Sequence, residues 1–266
     1  MRGAQDAEIS PDGRHCLVLA APGRQKSVHV IDLATVKPRK IHAGRMVRAV
    51  WIGQDVAISD VGERGQILPI CTWSPTGKTT ASSVRGLTLS SDPNGGVRLV
   101  AAVAADPSAE VVSSRDMGKV SLLAMDRSWK VLTEILPLSK MGNSPCLSPQ
   151  GKFAACQVRP GARTSSGRLT GGYTVGIFST HGRQSWFIEE FALPVAVTNS
   201  GAVIALRATF NPGTTLILCR KGLGRPIELG KDILDATVAG GRIYFMQHQP
   251  GDSPKTVLKS MPLPRE

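Results

Sequence analysis

Short apolar runs recur along the chain, among them His15-Cys-Leu-Val-Leu-Ala-Ala21, Val97-Arg-Leu-Val-Ala-Ala-Val103, Leu122-Leu-Ala-Met125 and Leu216-Ile-Leu-Cys219. They are too short for core helices, and turn formers bound them, so they read as β-strands. None approaches the ~18 uninterrupted apolar residues of a membrane-spanning helix. Between successive runs stands a turn that carries glycine: Ser10-Pro-Asp-Gly13, Ile52-Gly53-Gln-Asp55, Asp92-Pro-Asn-Gly-Gly96, Ser148-Pro-Gln-Gly151, Thr198-Asn-Ser-Gly201 and Ala239-Gly-Gly241. The last glycines lie 40, 43, 55, 50 and 40 residues apart. A period near 44 is the length of a propeller blade.

A second marker follows each glycine. It is a run of β-formers ending in a turn: Val28–Asp32, Ile67–Cys71, Leu122–Asp126, Val175–Ser179, Leu216–Cys219 and Thr256–Lys259. The offsets are 19, 18, 30, 28, 18 and 18 residues, so four units share one register and two carry about ten extra residues. Each unit reads as four strands; in the first these are Ala7–Ser10, His15–Ala21, Ser27–Leu33 and Lys37–Ala43. One such sheet cannot cover both its faces, and stacking neighbours does so. The expectation is an all-β, six-bladed β-propeller forming a single domain over residues 1–266. Its units are about 7–44, 45–85, 86–140, 141–191, 192–232 and 233–266. The last blade lacks its fourth strand, because Pro262-Leu-Pro264 opposes one. It is therefore incomplete or closed by a terminal strand.

Ser10-Pro-Asp-Gly-Arg14 with Val30-Ile-Asp-Leu-Ala-Thr35, and Ser148-Pro-Gln-Gly-Lys152 with Gly176-Ile-Phe-Ser-Thr-His-Gly-Arg183, resemble the WD40-like β-propeller repeat of the TolB type. Two of the six units match this pattern well; the other four match it in spacing. The resemblance implies a propeller that serves as a protein- or ligand-binding scaffold, and it names no substrate. In the turn itself Pro fixes φ, Asp binds backbone amides and Gly takes positive φ, so Asp12 and Gly13 read as hairpin builders.

Composition fits this picture. The 28 Gly and 18 Pro oppose a helical bundle, and 41% hydrophobic residues suffice for a core. Lys and Arg number 32 against 20 Asp and Glu, a formal charge of +12. That suits an anionic partner. The basic residues are scattered, with no nucleic-acid-binding motif, so nucleic acid is the second alternative only. Five cysteines without metal or redox spacing read as buried thiols in a reducing compartment, with no disulfide framework. The first residues carry no signal-peptide pattern. As it stands the chain reads as cytoplasmic, and as extracytoplasmic if an upstream signal has been removed.

In a propeller, loops joining second to third and fourth to first strands open on one face. The extra residues fall in such loops, 105–119 and 159–172, and added loop on a rigid scaffold is where binding develops. Arg159, Arg163 and Arg168 in the second, with Arg115, Arg64 and Arg24 in others, supply the forks that hold carboxylates or phosphates. The competing reading makes 105–119 an extra edge strand. Trp73 and Trp129, in turns at the opposite end, form a contact patch if exposed or pack over their hairpins if not.

Catalytic patterns fail on inspection. Trp73-Ser-Pro-Thr-Gly77-Lys78-Thr79 lacks the first glycine and the helix of a phosphate loop. Gly142-Asn-Ser144-Pro-Cys146 is no nucleophile elbow, and the five histidines share no ligand spacing. Glu8, Asn143 and Asp235 are the acids and amide that a metal in a central channel would use. The expected function is a non-catalytic scaffold that binds a protein or other anionic partner through the long-loop face, without cofactor or metal. The alternative is a metal-dependent, lactonase-like hydrolase with a channel site.

Overall fold

The computed structural model describes residues 4–21, 25–111, 114–143, 145–159, 173–182, 184–188, 191–208, 214–221, 225–249 and 255–264. The chain divides into two compact units, Met1–Ser139 and Lys140–Glu266.

Three four-stranded antiparallel sheets make up the first unit. They are β1 (Ala4–Ile9), β2 (His15–Ala20), β3 (Lys26–Asp32) and β4 (Lys37–Gly44); β5 (Arg48–Ile52), β6 (Asp55–Ser59), β7 (Pro69–Trp73) and β8 (Thr79–Arg85); and β9 (Leu87–Ser91), β10 (Val97–Val103), β11 (Val120–Asp126) and β12 (Val131–Pro137). A short helix, α1 (Ser114–Met117), lies between β10 and β11. Each sheet runs in chain order, as tight hairpins dictate. Leu17, Val28 and Val30 of the first sheet pack on Trp51, Val56, Ile58 and Trp73 of the second. Ile52, Ala57 and Ile70 of the second pack on Val100, Ala102, Leu123 and Met125 of the third. Both faces of the second sheet are thereby covered; in the third, β10 and β11 are almost uniformly apolar and buried.

In the second unit, β13 (Cys146–Leu147), β14 (Phe153–Val158), β15 (Thr174–Ser179) and β16 (Ser185–Ile188) form a fourth sheet. Six strands form the next: β17 (Ala192–Val197), β18 (Val203–Ala208), β19 (Thr214–Cys219), β20 (Ile227–Ala239), β21 (Arg242–Gln249) and β22 (Lys255–Pro262).

The described residues therefore form five sheets where six were expected, because the fifth and sixth units share a strand. Residues 227–233 of β20 pair with β19, and residues 233–239 pair with β21. Gly230-Lys231-Asp232 reads as a boundary turn. Instead Asp232 takes φ +57° and the register shifts between Ile233 and Asp235, so the chain bulges and runs on. The two halves still pack on each other like neighbouring units, Ile204, Leu216 and Leu218 against Ile243 and Phe245.

All six glycine turns join two antiparallel strands. Gly13, Gly95, Gly151 and Gly201 donate their amides to Ser10, Asp92, Ser148 and Thr198 carbonyls at 2.9, 2.9, 2.8 and 3.1 Å. Asp92 is 4% exposed and accepts the Asn94 amide at 2.8 Å as well as the Val97 amide. Asp92→Ala leaves that buried Val97 donor unpaired and is expected to cost roughly 3 kcal/mol, read as a lower urea midpoint.

Candidate functional site

A cavity of about 440 Å³ opens in the first unit among the first strands of its three sheets. Its wall comprises Asp6 and Glu8 of β1, Leu17 and Leu19 of β2, Arg48 and Val50 of β5, and Leu87, Leu89 and Ser90 of β9. Lys26, Met46 and Val61 come from the ends of strands and loops. These ends are the second-to-third and fourth-to-first connections, the side on which the sequence places the binding face.

Local chemistry positions each group. Trp51 Nε1 donates to the Glu8 carbonyl at 3.1 Å, which ties β1 to β5. Arg48 reaches from β5 to β9, Nε donating to the Thr88 carbonyl and Nη2 to the Leu89 carbonyl, each at 3.1 Å. A guanidinium held by two carbonyls is fixed in orientation, and loses little further freedom on meeting a ligand. Burial pushes its pKa down, while Asp6 and Glu8 oppose that shift. Around Glu8, burial of the carboxyl and then the Asp6 charge raise the pKa, and Arg48 lowers it. Among the described residues no ion pair joins Arg48 to either acid. The cavity thus presents one anchored cation and two carboxylates, with apolar wall around them. That combination suits a guest that carries charge and apolar surface together.

The loop beside the mouth is fastened. Asp60, 8% exposed, accepts the Met46 amide at 3.2 Å, the Val61 amide at 2.7 Å and His42 Nε2 at 2.9 Å. Arg45 Nη1 donates to the Glu63 carbonyl at 3.0 Å. The long loop 105–119 is a buttress in its described part, neither an extra strand nor a free arm. Its Pro107 carbonyl accepts the Arg85 amide at 2.8 Å, its Val111 carbonyl accepts the Ile67 amide at 3.1 Å, and the Val111 side chain is buried with Ile67 and Val120.

Of the residues singled out in the sequence, Glu8 lines the cavity. Arg64 is exposed in the adjoining turn, its amide donating to Gln66 Oε1 at 3.0 Å. Arg115 lies on α1, with its side chain outside the described residues. Arg24, Arg163 and Arg168 are also outside them. Arg159 is exposed at the end of β14, its amide bonded to the Lys140 carbonyl at 2.8 Å. Two channel candidates are engaged in backbone bonds. Asn143 Oδ1 accepts the Gln157 amide at 2.6 Å, and Asp235 Oδ1 accepts the Ala236 amide at 2.8 Å. Among the described residues no group of three or more His, Cys, Asp or Glu is placed to hold a metal. Trp73 is buried against the first sheet beneath the Arg39 guanidinium, and Trp129 carries the Arg98 guanidinium 4.2 Å above its ring. Packing, not an exposed patch, accounts for both.

Arg48 and Ser90 escaped the sequence reading, although a signal for them existed. Glu8, Arg48 and Ser90 each stand five residues before a left-handed glycine, at 13, 53 and 95. The repeat itself places these three at equivalent points of three first strands, and all three line the cavity.

The fold is an all-β propeller. The chain is similar to the β-propeller domain of the Trilobed protease from Pyrococcus furiosus, at 11% identity over 98% of this chain and 82% of that one, with a TM-score of 0.64. It is similar to TolB from Acinetobacter baumannii at 13% identity, over 97% of this chain and 60% of that one, TM-score 0.54. It also resembles the acylaminoacyl peptidase of Pyrococcus horikoshii at 11% identity, over 97% of this chain and 44% of that one, TM-score 0.61. The chain thus spans less than two thirds of the length of those last two proteins. No family model matches it, and no curated protein matches it. No helix among the described residues is long and apolar enough to cross a membrane.

Proposed function

We infer that the protein is a non-catalytic propeller scaffold that binds a partner protein on the loop side of its first unit. The cavity receives a projecting part of that partner. The observation that carries this reading is the anchored Arg48 facing Asp6 and Glu8 without an ion pair, in a cavity of about 440 Å³. Its two bonds to β9 carbonyls hold the guanidinium in place, so that one cation and two carboxylates line the same cavity. The likeness to TolB-like propellers supports a scaffold. Arg64 is exposed on the same side and suits acidic surface around the guest; the sequence repeat leads us to expect Arg24 and Arg115 there too.

The test is capture of binding proteins from an extract of the source cells by immobilised wild type and two variants. Glu8→Lys puts a long cation in the cavity and is expected to lower capture of the partner about tenfold, a loss of about 1.4 kcal/mol. Arg14→Glu, on the exposed first hairpin at the far end of the first sheet, is expected to leave capture unchanged. The reverse result, loss with Arg14→Glu and retention with Glu8→Lys, would show that the binding side is wrong.

A further inference from the structure

The wall of the cavity in the first unit is balanced in charge, with two acids, Asp6 and Glu8, and two bases, Arg48 and Lys26. The two signs come from different strands, the acids from β1, Arg48 from β5 and Lys26 from the start of β3. Among the described residues no ion pair joins Arg48 to either acid. A guest that meets both signs must therefore carry both itself, and must hold them apart.

Arg48 is prepared for an anion. Its bonds to the Thr88 and Leu89 carbonyls use the side of the guanidinium that runs from Nε to Nη2. The end between Nη1 and Nη2 remains, and two parallel N–H groups there match the two oxygens of a carboxylate. The acids are prepared for a cation with an apolar stem. Asp6 and Glu8 share one face of β1, Asp6 opposite Leu19 and Glu8 opposite Leu17 on β2, and all four line the cavity. Burial and then the Asp6 charge hold the Glu8 pKa up, with the Arg48 charge acting in the other direction. A cation set between the two carboxylates relieves their repulsion. The two leucines beside them offer a dry wall to methylene groups.

We propose that the guest is the C-terminal residue of the partner protein, a lysine or arginine, with its α-carboxylate on Arg48, its side-chain cation on Asp6 and Glu8, and its stem against Leu17 and Leu19. This rests on the reading that the cavity receives part of a partner. Such a residue carries an anion and a cation at the two ends of an apolar chain, which is the pattern of the wall. Other guests match it less well. An acidic side chain would set a like charge against Asp6 and Glu8. A lysine within a chain would leave Arg48 without a carboxylate. An apolar side chain would take water from all the charges and pair none of them. Capture of a chain-end carboxylate is a recurrent mode of peptide recognition, and about 440 Å³ lies within the range of sites for small guests.

Isothermal titration of the whole chain tests this with four blocked tripeptides: acetyl-Ala-Ala-Lys as the free acid and as the amide, and acetyl-Ala-Ala-norleucine as the free acid and as the amide. The lysine acid is expected to bind about tenfold more tightly than the lysine amide, and about tenfold more tightly than the norleucine acid. Glu8→Gln should abolish the preference for lysine over norleucine and keep that for acid over amide, which also shows that the variant is folded. Lack of binding by the lysine acid overturns the proposal, as does equal binding of acid and amide, or of lysine and norleucine. Free lysine binding more tightly than the tripeptide acid makes the cavity an amino-acid site and also overturns it. If Glu8→Lys lowers partner capture while no tripeptide binds, the scaffold reading stands and this guest is wrong; if capture is unchanged and no tripeptide binds, both fail.

Discussion

Gly95→Ala is expected to lower the melting temperature by about 12 °C, against about 3 °C for Gly13→Ala, although both glycines close the same kind of turn. Their backbones are nearly alike, with φ of +67° and +72°. Placing a side chain in that region costs about 1 kcal/mol at either position. The difference lies in what surrounds them. A Cβ on Gly13 meets nothing within 4 Å. On Gly95 it would stand 2.8 Å from the carbonyl carbon and oxygen of Ile52 and 2.9 Å from the Gly53 nitrogen. Those atoms are backbone in the hairpin of the neighbouring sheet, so they cannot rotate away. The second and third sheets must separate at that end, where Ile52 enters their shared core. An added cost of about 3 kcal/mol follows from overpacking of this kind. Thermal melts of the two variants decide it. Equal shifts would mean that the two hairpins are not in contact.

This contrast also shows where sequence reasoning stops. The turn glycines were legible because positive φ is a local demand that only a few residues meet. They marked all six first hairpins; in Asp92-Pro-Asn-Gly-Gly96 the left-handed residue is Gly95, one before the last glycine that marks the spacing. Strand positions followed from the alternation of apolar runs and turns. The joining of the last two units was not legible. Gly230-Lys231-Asp232 has the composition of a corner, and only pairing with β19 on one side and β21 on the other keeps the chain straight there. The candidate site was legible in part for the same reason. Glu8 could be noticed as an acid in a first strand. Arg48 looked like one of many scattered basic residues, because nothing local shows that β9 supplies carbonyls to its guanidinium. Likewise 105–119 was visible as added length, whereas its role as a buttress depends on Arg85 and Ile67, which lie in another unit of the repeat.

The thiol of Cys146 is expected to react with iodoacetamide at pH 8 about a thousandfold more slowly in the folded protein than in the urea-unfolded chain. Only the thiolate attacks the reagent. Burial pushes the Cys146 thiol from its usual 9.0 up to about 12, and the thiol donates to the Ala155 carbonyl, 3.6 Å from Sγ. Three pH units remove a factor of about a thousand from the thiolate population. Cys156, one residue beyond that carbonyl on β14, is pushed up in the same direction, by burial and then by the neighbouring Cys146. The sign for stability follows. Both thiols are neutral in folded and unfolded chains below pH 9, so they cost nothing there. Above it the unfolded chain ionises first, and stability falls between about pH 9 and 12. Cys71 is also raised by burial, but it is only partly covered and should label faster than Cys146. Mass spectrometry of the alkylated peptides reads all three rates in one experiment. A Cys146 rate within tenfold of the unfolded chain would show that β13, a strand of two residues, opens from β14 in the native protein, and that the fourth sheet works with three strands for part of the time.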